Sequence, residues 1–152
     1  MNSIITGSNI ISSVLPSKII LNVLLNTISG TINSINYIIT NDSIPEVNII
    51  KNKIIQMDLN SKLEIIHSLI KELNEEKLKE FQKISLKSIE ILIDEINKEL
   101  IDINQKINYH NSKYFSSWRS INLDNNINQL NDHNILLDKR LDNLIKLLNL
   151  NL

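Results

Sequence analysis

Apolar and polar positions along this chain fall into helical periods over most of its length, and the first of those periods carries almost no charge. Between Ser3 and Asn41 the only charged side chain is Lys18, although the chain holds 16 basic and 17 acidic residues. Asn22, Asn26, Ser29, Asn33 and Asn36 are spaced four, three, four and three apart, which is one stripe down an α-helix. Leu21, Leu24, Ile28, Ile35 and Ile38 form an apolar stripe beside it. The pattern predicts a helix from about Ser17 to Ile39. Amides and hydroxyls cost less to bury than charged groups when they find partners. The expectation is therefore either the central helix of a bundle, with its Asn/Ser stripe packed inside, or a segment that can enter another apolar environment.

Further helices follow in the same way. Ser43-Ile44-Pro45-Glu46 combines an N-cap serine, a proline in the first turn and a glutamate three after the serine, which is a helix start. That helix should run to about Met57 and bury Val47, Ile50 and Ile54. Asp58 is the next plausible cap, and Leu59, Leu63, Ile66, Ile70 and Leu73 keep a helical period. Asn74-Glu75-Glu76 reads as a break or a new cap. A long helix is expected from about Glu75 to His110, with Leu86, Ile89, Ile93, Ile96, Leu100, Ile103 and Ile107 on one face. Leu78 and Phe81 do not fit that frame, so its start is out of register. After a loop at Asn111–Asn122, the last helix, about Leu123 to Leu148, places Leu123, Ile127, Leu130, Leu137, Leu141, Leu144 and Leu148 on one frame. Asn134 takes the remaining apolar slot.

These periods give an all-α fold, an antiparallel helical bundle of four long helices plus one or two short ones. The short connections favour antiparallel neighbours. A length of 152 residues suits one domain over 1–152, able to bury roughly two thirds of its unfolded surface. Residues 1–15, rich in Ser, Ile and Asn without a clear period, read as a loosely ordered N-terminal segment. No Gly/Pro/Ser linker and no internal repeat divides the chain.

Composition narrows the function. Alanine and cysteine are absent, and Ile, Asn, Leu and Lys dominate, the signature of an AT-rich genome such as that of a large DNA virus, a protist or an AT-rich bacterium. The lack of cysteine excludes disulfides and thiolate chemistry. A net charge of −1 argues against bulk electrostatic binding to nucleic acid or an anionic membrane surface. No basic n-region precedes the first apolar residues, so no signal peptide is expected and a cytoplasmic setting is. Ile19–Ile39 is long enough to span a bilayer, but its asparagines, Ser29, Gly30, Thr27 and Thr31 are expensive in hydrocarbon. Membrane spanning is not favoured.

No catalytic or ligand-binding constellation emerges. His67, His110 and His133 lack metal-ligand spacing, and His110 continues the apolar frame of the long helix. Two glycines cannot build a phosphate loop. Carboxylates such as Glu75, Glu76, Asp94, Glu95, Asp102, Asp138 and Asp142 read as solvated faces. No cofactor, metal or small-molecule substrate is expected, and no enzymatic activity.

Two features remain as candidate interaction sites. The stretch 109–120 holds four of the six aromatics and one of the two arginines. Tyr114, Phe115, Trp118 and Arg119 there suit either an interhelical clamp or a partner-binding hot spot. Asn134 among leucines suits a buried amide that fixes helix register, either inside the chain or across a symmetric dimer.

The reading that follows is a non-enzymatic helical interaction or assembly protein, a structural component from an AT-rich virus or microbe, with a protein or a second copy as partner. The alternative is a membrane-active or apoptosis-regulator-like helical domain using residues 17–39. Against it, Ser117-Trp118-Arg119 lacks the glycine that the Bcl-2 homology motif places between Trp and Arg.

Overall fold

A computed structural model describes residues 19–40, 45–113 and 120–150. Among them are five α-helices, α1 (Ile19–Thr40), α2 (Pro45–Gln56), α3 (Leu59–Glu72), α4 (Glu80–Asn111) and α5 (Asp124–Leu148). A 3-10 turn, Glu75–Lys77, separates α3 from α4. The helices pack against one another as a bundle, the class expected from the periods.

Helix directions follow from cross-helix contacts. Ile20 and Leu21 meet Glu75, Ser34 meets Asn97 and Asn104, and Tyr37 meets Asn108. Numbers rise together, so α1 runs parallel to α4. Asn126 meets Asp102, His133 faces Glu95 and Arg140 meets Ser88, so α5 runs antiparallel to α4. Leu21 and Asn22 share a groove with Leu73 and Asn74, while Asn33 shares one with Glu64 and His67, which sets α3 antiparallel to α1. Directions thus alternate through α1, α3, α4 and α5. The consequence is a parallel pair, α1 and α4, beside the antiparallel pair α4 and α5, and these are the two most extensive contacts. The short α2 touches α1, α3 and α5.

The core is aliphatic. Leu24, Ile28, Ile35 and Ile38 of α1 are buried in one cluster with Leu63 and Ile66 of α3, Leu86, Ile93, Leu100 and Ile107 of α4 and Leu130, Leu137 and Leu144 of α5. Each such side chain contributes about 1.5–3 kcal/mol relative to exposure. Thr31 fills the gap in the apolar stripe of α1 with no exposure. Its hydroxyl donates to the Thr27 carbonyl at 2.8 Å, so the helix satisfies the group itself.

The Asn/Ser stripe does not enter that core. Asn22, Asn26, Ser29, Asn33 and Asn36 are all exposed, which corrects the expectation of an interior stripe. The apolar stripe beside it is wide enough to fill the interior, and its opposite face is left to water whether or not it is charged. The polar groups of α1 that meet α4 lie on the flank instead. Ser34 donates to Asn97 Oδ1 at 2.8 Å, and Asn104 Nδ2 donates to the Ser34 carbonyl at 3.3 Å.

Two helix starts also differ from expectation. Asp58 precedes α3, but its side chain accepts no capping bond and its φ is 51°. It makes the left-handed turn between α2 and α3, a conformation that a short polar side chain tolerates better than most. The long helix begins at Glu80 rather than Glu75. Asn74 Oδ1 accepts from Glu76 N–H at 3.1 Å and opens the 3-10 turn, and Leu78 stands in the connection. This explains why it misses the α4 frame. Gln82 Oε1 then accepts from Lys79 N–H at 2.8 Å, and its amide donates to the Leu147 carbonyl at 3.0 Å. One side chain so caps the start of α4 and ties it to the end of α5.

Candidate functional site

Four of the five sequence-predicted interaction residues, Tyr114, Phe115, Trp118 and Arg119, lie outside the described residues, as does the N-terminal segment 1–15. The fifth, Asn134, is buried with 7% exposure. Its Nδ2 donates to the Met57 carbonyl at 3.1 Å and its Oδ1 accepts from Lys62 Nζ at 3.0 Å. Lys62 also pairs with Asp138 at 2.8 Å. Both ends of the amide are therefore engaged within the chain, where they fasten the α2–α3 elbow to α5. An open groove of about 590 Å³ lies beside it, lined by Lys53, Asp58, Asn128 and Asn131 among others.

Two more polar knots were not foreseen. Asn126, in the first turn of α5, is buried at 4% exposure. Its Nδ2 donates to Glu99 Oε2 at 2.9 Å and Asp102 Oδ2 at 2.8 Å, and its Oδ1 accepts from Lys106 Nζ at 2.9 Å. Lys106 closes the ring with Asp102 at 2.7 Å. Hydrogen bonds from Lys106, and then from Asn126, hold the Asp102 carboxyl below the usual carboxylate range. The knot locks the start of α5 to α4.

The second knot is Glu75, which sequence reasoning placed on a solvated face. It is buried at 4% exposure. Its two carboxylate oxygens accept from the main-chain N–H groups of Ile20 and Leu21, both at 3.3 Å. The first N–H groups of a helix have no partner within it, and that end is electropositive. Glu75 supplies a cap for α1 from more than fifty residues away. Acidic residues in Asn74-Glu75-Glu76 pointed to a helix terminus; that the terminus belongs to α1 was invisible without the packing.

The histidines do not converge. His110 is buried at 8% exposure where the core face of α4 ends, as its frame position implied, and its Nε2 has no hydrogen-bond partner. Half-buried His133 sits 3.8 Å from Glu95, and His67 lines a different groove beside Asn33 and Glu64. No group of three or more His, Cys, Asp or Glu among the described residues could hold a metal ion. No described helix is long and apolar enough to cross a membrane.

What the surface does offer is the outward side of α1. Its 22 residues contain no acidic or basic side chain. The hydroxyls of Thr27, Ser29 and Thr40 fold back onto carbonyls of their own helix. The amides of Asn22, Asn26, Asn33 and Asn36 are exposed, and Tyr37 stands beside them at 51% exposure.

Comparison with known proteins adds one relationship. The chain is similar to an uncharacterized protein of Acanthamoeba polyphaga mimivirus, with 42% identity over 55 residues. The aligned part is 36% of this chain and 27% of that protein, so the match spans about a quarter of the relative's length. No protein-family profile matches the chain, and no solved structure matches it.

Proposed function

We propose that this chain is a non-enzymatic helical interaction or assembly protein that meets its partner through the outward face of α1. One observation carries the reading: the exposed amide stripe Asn22, Asn26, Asn33 and Asn36, on a helix with no charge from Ile19 to Thr40. The exposed faces of α3, α4 and α5 carry Glu64, Lys71, Lys98, Asp132 and Lys139 instead. Charged side chains are depleted from interface centres because stripping water from them is costly. Amides donate and accept at once, so a neutral amide face can pair with its like and leave no charge unmatched. A second copy of the chain is the first partner to test, since an isologous contact needs only self-complementarity. The mimivirus relative and the AT-biased composition favour a structural component of a large DNA virus as the setting.

A membrane-active role has less support. The apolar side chains of α1 that would enter a bilayer are spent in the core. The test is sedimentation of the full chain over a wide concentration range, beside an Asn26→Lys/Asn33→Lys double variant. Both sites are exposed, so the variant should keep its helicity and melting temperature. The expected result is a wild-type mass above that of one chain and a monomeric variant. A wild type that stays monomeric throughout would remove self-association, and an unchanged mass in the variant would remove α1 as the surface. Flotation of the wild type with liposomes would favour the membrane reading instead.

A further inference from the structure

We draw no further inference here: the strongest candidate, the open cavity of about 480 Å³ between the end of α4 and the start of α5, lined by Tyr109, Lys113, Ile121 and the buried His110 with its unpartnered Nε2, carries nothing because no feature of its described walls shows what covers it.

Discussion

Replacing Glu75 by alanine removes the acceptor for two main-chain N–H groups at the start of α1. Hydrogen bonds to a charged acceptor contribute about 1.5–3 kcal/mol when short. At 3.3 Å both lie just beyond the usual N–H···O range, so each belongs at or below the lower end of that scale. The favourable interaction of a carboxylate with the helix dipole adds about 0.3–1 kcal/mol. Solvent can reach part of Ile20, which is half-buried, and this offsets some of the loss. The expected cost of Glu75→Ala is about 2–3 kcal/mol, or roughly 4–12 °C in Tm for a chain of this size. Glu75→Gln keeps one acceptor oxygen and should fall between wild type and alanine. Glu76→Ala, at the exposed neighbouring position, should stay within about 0.5 kcal/mol of wild type. Denaturant unfolding measures all three, and amide hydrogen exchange at Ile20 and Leu21 localises the effect. If Glu75→Ala matches Glu76→Ala in stability and those two amides exchange no faster, the carboxylate does not cap α1.

Asn134→Ala leaves the Met57 carbonyl without its donor and should cost about 1–3 kcal/mol, with no change of mass in sedimentation because both amide contacts are intrachain; a shift in mass would return Asn134 to an interface between copies. Gly30→Ala places a methyl where nothing lies within 4 Å, and on helix propensity should stabilise by about 0.5–1 kcal/mol, read as a higher denaturation midpoint. Asp102 has a lowered folded-state pKa, so its contribution is present above the unfolded carboxylate pKa of about 3.9 and is lost as pH falls through the folded value. Asp102→Asn should therefore flatten the acid limb of the stability profile below about pH 4 relative to wild type, and superimposable limbs would show that the carboxylate is not linked to folding.

The helices were legible because burial on one face imposes a period, and the aliphatic frames of α3, α4 and α5 carry it, broken in α5 by Asn134. Where a boundary is set by a side chain reaching across the fold, the period says nothing. Gln82 starts α4 by binding Lys79 and Leu147 together, and the second partner lies 65 residues away. Glu75 was read as solvated for the same reason, since a carboxylate in a turn looks alike whether it meets water or the end of another helix. The stripe on α1 misled differently. Lack of charge makes burial affordable but does not require it, and the apolar stripe alone filled the space α1 had to fill. Asn134 was half legible. Its place in a leucine frame announced a buried amide, while the identity of its partner, a carbonyl at the α2–α3 elbow, depended on where α2 came to rest.

The parallel pairing of α1 with α4 has a consequence for how the protein is made. Ser34 and Tyr37 find their α4 partners 63 to 71 residues later in the chain, whereas Asn126 reaches back only 24 to 27 residues. At synthesis rates of about 5–20 residues per second, the partners of α1 follow it out of the ribosome after roughly 3–14 s. Throughout that interval Leu24, Ile28, Ile35 and Ile38 have no α4 to cover them, and the other side of the helix has no charge to keep neighbouring nascent chains apart. The antiparallel α4 and α5 are neighbours in sequence and meet no such delay. The neutral helix is made before the α4 that covers it, so crowded translation exposes this fold to aggregation.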